Sequence, residues 1–198
     1  MRGIFRFASR TILLHIAAAI VIGLAASYAV VSAPDSPGVH SERGRLDLTH
    51  VPVRDHPRKL RGEWTFYWQE LLSPEDIRKR LASEGLHDRW IQVPGSWLGE
   101  RYDGHRLGST GYATYRLVIQ LSEQDRNERL ALRLPTIFHA YKLWVNGELL
   151  SEIGSVGPDK HSVTPQLATK LVFFQPEKDQ VELVMQVAND HHNRGGIT

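Results

Sequence analysis

The chain has 198 residues, 24 of them Lys or Arg and 22 Asp or Glu, for a formal net charge of +2, and it contains no cysteine. Charges this close to balance make no broad basic field, so nucleic acid is excluded as an expected partner. The lack of cysteine excludes a disulfide scaffold and a thiol nucleophile, leaving a hydrophobic core to hold the fold.

Arg2, Arg6 and Arg10 precede an uncharged stretch, Thr11 to Ala33. Its apolar run from Ile12 to Val31 matches the roughly 20 residues that span a bilayer. A basic start before such a run marks residues 1–33 as a signal peptide or a membrane anchor. Small residues at Ser27-Tyr28-Ala29 and Val31-Ser32-Ala33 permit cleavage, so both outcomes stay open. No Lys or Arg follows until Arg43, and the positive-inside rule then keeps the N-terminus cytoplasmic and the chain from about Pro34 onward outside. Three arginines and one aspartate precede Val39, so the exported remainder is neutral in formal charge. At about 160 residues it is long enough to bury a core.

Residues 34–56 carry Pro34, Pro37 and Pro52 among polar neighbours and read as a linker holding one short strand near Arg45 to Thr49. The expected domain occupies 57–198. In Gly62 to Trp68 the alternation puts Trp64, Phe66 and Trp68 on one face of a strand and Glu63, Thr65 and Tyr67 on the other. Three aromatics on one face fill a core more often than they stack a sugar.

One helix is predicted after Leu72. Ser73 caps it, Pro74 suits its first position, Glu75 and Asp76 favour its positive end, and Gly85 stops it. Leu72 is placed to staple to Ile77, and Leu86 to meet Leu81. With so few apolar positions it reads as a short surface helix on one edge of a sheet.

Trp90 to Val93 resumes a strand, which Pro94-Gly95-Ser96-Trp97 ends. Leu98 to Gly111 is a long polar loop with four glycines, ringed by Trp97, Tyr102 and Tyr112, and a fair place for a polar ligand. Ala113 to Leu121 alternates with Ala113, Tyr115, Leu117, Ile119 and Leu121 inward; Leu130, Leu132 and Leu134 face in along the next strand. Phe138 to Leu150 forms a hairpin about Asn146-Gly147, the pair that best tolerates the positive φ angles of a type I′ turn. Leu167 to Phe174 reads as a strand or buried extended run, and Val181 to Val187 alternates again. Some eight short strands and one helix, without a βαβ rhythm, predict an all-β jelly-roll sandwich.

The order Gly62-Glu63-Trp64-Thr65-Phe66, Val93-Pro94-Gly95-Ser96-Trp97, Gly111-Tyr112-Ala113-Thr114-Tyr115-Arg116 and Trp144-Val145-Asn146-Gly147 resembles the sugar-binding jelly-roll domain of glycoside hydrolase family 2 enzymes. With Ala140-Tyr141 before the hairpin and the run Asn189-Asp190-His191-His192-Asn193-Arg194-Gly195-Gly196-Ile197, the chain resembles more closely another group. That group is the extracytoplasmic galactose-binding-like domains of bacterial seven-transmembrane receptors with diverse intracellular signalling modules. The resemblance covers about Leu46 to Ile197. It implies a sensor domain at the inner membrane, facing the periplasm or cell exterior, followed by a further strand, seven membrane helices and a cytoplasmic output module beyond Thr198.

Candidate chemistry is sparse. Asn189, His191 and Arg194 offer donors and acceptors for sugar hydroxyls or a carboxylate, with Trp97 and Tyr112 as stacking surfaces. Residues of this kind at a strand end more often fix that end by tertiary hydrogen bonds than grip a ligand. No metal site is predicted: His191 and His192 are adjacent and would share an ion only from a loop, and His139, His161 and His105 lack ligand spacing. No cofactor is expected, with a structural calcium ion on Asp103, Asp159 or Asp190 left open. Glu63, Glu70, Glu148 and Glu152 show no opposed carboxylate arrangement, and no nucleophile motif occurs, so a non-enzymatic chain is expected. The expected function is an extracytoplasmic sensor of a small polar ligand such as a carbohydrate. The alternatives are the non-catalytic sugar-binding domain of an exported glycosidase, and a protein-interaction or dimerisation module using Trp144 and Val118 as apolar contacts.

Overall fold

The computed structural model describes residues 39–53, 57–83 and 89–198. The apolar segment 1–33 and the expected helix stop at Gly85 and Leu86 lie outside the described residues. Among the described residues no helix is long and apolar enough to cross a membrane.

The hairpin forms as its turn residues require. Asn146 and Gly147 take φ of 51° and 90°, and strand β9 (Ala140–Val145) returns as β10 (Glu148–Ile153). Asn146 also accepts a hydrogen bond from the Glu182 amide at 2.8 Å, fixing the hairpin to β12 (Gln180–Asn189). β12 is buried along nearly its whole length because β9 and β7 (Gly111–Gln120) pair with it on both sides. Beyond β7 lie β2 (Gly62–Trp68) and β3 (Trp90–Val93), giving the order β10-β9-β12-β7-β2-β3. The seventh strand of this sheet, β1 (Arg45–Asp47), runs parallel to β7 at Val118 to Gln120, on the flank where β2 pairs with Ala113 to Arg116.

A second layer covers one face. Its main piece pairs β8 (Leu130–Leu134) with β11 (Lys170–Phe174); two-residue strands form the other pairs, β4 (Gly95–Ser96) with β13 (Gly196–Ile197) and β5 (Arg101–Tyr102) with β6 (His105–Arg106). The inward alternation holds: Ala113, Tyr115 and Leu117 on β7, Leu143 and Val145 on β9, and Leu183 and Met185 on β12 meet Leu130, Leu134 and Val172 of the second layer in one core. Trp64 and Phe66 belong to it, with Trp68 half-buried at its margin. The chain is an all-β sandwich.

Three expectations shift. Leu46 and Leu48 lie in the core, each 2 % exposed, and the compact unit starts at Val39, so the stretch taken as linker contributes structure. A hydrogen bond from the Val53 amide to the buried Asp125 carboxylate, 3.0 Å, adds to that anchoring. Within the run Leu167 to Phe174 the strand is Lys170–Phe174, with Val172 inward; Leu171 and Phe173 stand exposed on it, and Leu167, ahead of it, is exposed as well. Conversely Val118 is buried and Trp144 is half-buried, so neither is the open apolar contact the sequence suggested.

Helix α1 (Pro74–Ser83) explains the Trp144 result. It lies over the outer face of the central strands rather than at an edge, where Leu72 and Ile77 cluster with Tyr67, Val184 and Trp144. Its start is capped as predicted: Ser73 Oγ accepts from the Asp76 amide at 3.2 Å, and the Asp76 carboxylate accepts from the Ser73 amide and hydroxyl at 2.9 and 2.6 Å. Those bonds hold the Asp76 pKa below the usual carboxylate value. A depressed pKa stabilises the fold above the unfolded-state value near 3.8, and that contribution fades as pH falls through the folded-state value. Ser73→Ala is therefore expected to cost about 1 kcal/mol at pH 7 and less near pH 2.5, read as melting-temperature differences from the parent at the two pH values.

Candidate functional site

The polar loop after Trp97 folds into the β5–β6 hairpin. Asp103 and Gly104 turn it at φ of 47° and 83°, and Leu107, 7 % exposed, anchors its base in the core. Between this hairpin and the end of β2 lies a cleft of about 660 Å³, within the usual range for small-molecule sites. Trp68 and Tyr102 supply its rings, and Glu70, Asp103, His105 and Arg106 its charged and titratable groups. Trp68 is held by Phe66, stacked at 6.0 Å, and by Trp97, edge-on at 5.2 Å. Tyr102 meets Phe66 edge-on at 6.0 Å. Burial pushes the Tyr102 hydroxyl's pKa upward, keeping the phenol neutral.

The acids of the cleft are already matched. Glu70 pairs with Arg80 of α1 at 2.5 Å, and Asp103 pairs with Arg89 at 2.6 Å. Arg106 and His105 are exposed and form no ion pair among the described residues. The uncommitted charge of the cleft is thus a guanidinium beside two aromatic rings, an arrangement that suits a ligand with a flat apolar face and a carboxylate or several hydroxyls.

None of the five predicted ligand contacts lines this cleft. Trp97 is 0 % exposed and offers no face for stacking, which corrects its assignment as a platform. Tyr112 is half-buried and packs with Ala140, Val163 and Ala188. Asn189 is 1 % exposed and spends its amide inside the protein, Nδ2 donating to the Ser109 and His192 carbonyls at 2.7 and 2.9 Å while Oδ1 accepts from the His192 amide at 3.0 Å. Arg194 is exposed, and its backbone amide lies 3.1 Å from His192 Nδ1. His191 is exposed beside Asp190.

Two of these residues nevertheless act on the cleft from beneath. The Ser109 carbonyl accepts from both Trp97 Nε1, at 3.0 Å, and Asn189 Nδ2. Ser109 sits between Gly108 and Thr110, which line the cleft. Trp97 and Asn189 are positioning residues for that wall. Trp68, Glu70, His105 and Arg106 meet only because the hairpin folds back against the end of β2; the long polar loop signals His105 and Arg106, the aromatic face of β2 signals Trp68 as core more than as a sugar platform, and no sequence feature signals Glu70.

The aspartates weighed for calcium do not assemble. Asp103 holds Arg89, and Asp159 accepts from the His161 and Ser162 amides at 2.8 and 3.1 Å, which lowers its pKa. Asp190 lies between His139 and His191.

No known family's sequence profile matches the chain. Among solved structures it is similar to the β-glucuronidase of Ruminococcus gnavus, at 20 % identity over 66 % of this chain with a TM-score of 0.45. A second structure of that enzyme shows 19 % identity and the same TM-score, and its complex with D-glucuronic acid matches at 20 % and 0.45. The matched part spans about a fifth of the enzyme's length, 21 % in the first and 20 % in the second.

Proposed function

We propose that this chain is the non-catalytic, extracytoplasmic ligand-binding part of a bacterial membrane signal-transduction receptor, taking a carbohydrate or sugar acid in the cleft between the β5–β6 hairpin and β2. The observation that carries the ligand class is the cleft itself: Trp68 and Tyr102 rings beside Arg106, with both acids of the lining already paired. The N-terminal apolar run supports the membrane setting, and the joint order of motifs supports the receptor setting. Ligand binding would favour one placement of the hairpin, which is held to the core through Leu107 and the Ser109 carbonyl.

The test is calorimetric titration of the folded unit from Val39 onward with sugars and sugar acids, comparing parent, Tyr102→Ala and Arg106→Ala. Losing the ring contact is expected to weaken binding up to about tenfold, and losing the guanidinium to abolish preference for a carboxylate over the neutral sugar. Parent-like affinity and preference in both variants would remove the cleft from the binding event.

One observation favours a second reading. Leu167, Leu171 and Phe173 are each at least half exposed around one strand, with the Arg129 guanidinium 4.7 Å over the Phe173 ring. Such a patch suits a protein partner, and a stable dimer that binds no small molecule would support it over the cleft.

A further inference from the structure

We propose that His139, Asp190 and His191 form a binding site for one divalent transition-metal ion of the zinc class, sharing no residue with the cleft. The three side chains each offer a ligand atom, and these atoms all lie within 4.8 Å of one another. His139 Nδ1 is 3.1 Å from one carboxylate oxygen of Asp190, and His191 Nδ1 is 2.5 Å from the other. Donors around a tetrahedral zinc ion, each bound at roughly 2.0–2.2 Å, stand roughly 3.3 Å apart, so a small swing of one side chain completes the set. His191 can make that swing because its side chain is 71 % exposed, whereas Asp190 at 6 % and His139 at 15 % are held in place.

The backbone supplies this proximity. β12 pairs with β9 so that Ala188 faces Ala140, which brings the residues before β9 alongside those after Ala188. The His139 amide donates to the Ala188 carbonyl at 3.0 Å, and the His139 carbonyl accepts from the Gln166 amide at 3.0 Å. Asn189 bonds hold the turn that carries Asp190 and His191. His192 is a wall rather than a ligand: it stacks on Phe138 at 4.2 Å and 3°, and its Nδ1 is engaged by the Arg194 backbone at 3.0 and 3.1 Å. Two imidazoles and one carboxylate favour zinc, cobalt, nickel or copper over calcium or magnesium, and three protein ligands leave a fourth position for water or an exchangeable group.

The experiment uses the full 198-residue chain without an affinity tag, in detergent and stripped of metal by chelation. Calorimetric titration with zinc chloride is expected to saturate at one ion per chain, and cobalt(II) in its place to give the visible absorption of a tetrahedral site. His191→Ala, safe for the fold because the side chain is exposed, and Asp190→Asn are each expected to weaken binding by more than the roughly 10- to 100-fold that loss of an outer-sphere partner costs. His161→Ala, at an exposed turn elsewhere, is expected to bind as the parent does. Unsaturable uptake, or parent-like affinity and spectrum in His191→Ala, would overturn the site.

Discussion

Trp97→Ala is expected to destabilise the domain by roughly 3–5 kcal/mol, lowering its melting temperature by roughly 6–20 °C. The indole is wholly enclosed, its edge against Trp68 and its Nε1 donating to the Ser109 carbonyl. The backbone is fitted to it: a Cβ added at Gly195 would lie 2.2 Å from the ring. Removing the side chain opens a cavity bordered by backbone that cannot collapse freely, and leaves the Ser109 carbonyl one donor short. Thermal denaturation followed by circular dichroism reads the loss. A shift under about 2 °C would mean the site relaxes far more than a packed interior does.

Asn189→Ala is expected to cost roughly 2–4 kcal/mol, because one truncation deletes three hydrogen bonds in a buried place. In urea denaturation the midpoint should fall with little change in slope, the signature of lost stability rather than altered compactness. Since Trp97 and Asn189 donate to the same carbonyl, which either one alone still satisfies and only the double variant leaves unpaired, the double variant should lose more than the sum of the single losses. Strict additivity would mean that Ser109 is not the shared support.

The sequence exposed most of the fold because its elements carry local instructions. Asn146-Gly147 specified a turn that only positive φ satisfies, Ser73-Pro74 with Asp76 specified a helix start, and the alternation along β2, β7 and β9 specified which side chains face inward. Less was legible where burial comes from partners remote in sequence. Val118 lies on the outward parity of β7 yet is buried, as is Thr114, whose hydroxyl bridges the Leu72 amide and the Glu70 carbonyl at 2.9 and 2.7 Å. The site was the least legible part. Aromatic and amide residues near loops have the chemistry of ligand contacts, but Trp97 and Asn189 lie one layer deeper and hold the loop wall. His139 and Asp190, 51 residues apart, meet only through the register of β9 on β12. No spacing rule along the chain reports that.

The most direct test of the central claim is a thermal-shift screen of the unit from Val39 onward against neutral sugars, sugar acids and simple carboxylates, with Tyr102→Ala run in parallel. One sugar or sugar-acid class is expected to raise the parent's melting temperature saturably, and less in the variant, because a ligand that binds only the folded state stabilises it by mass action. A cooperatively melting parent that no class shifts, or a shift that Tyr102→Ala leaves untouched, would contradict ligand binding in the cleft.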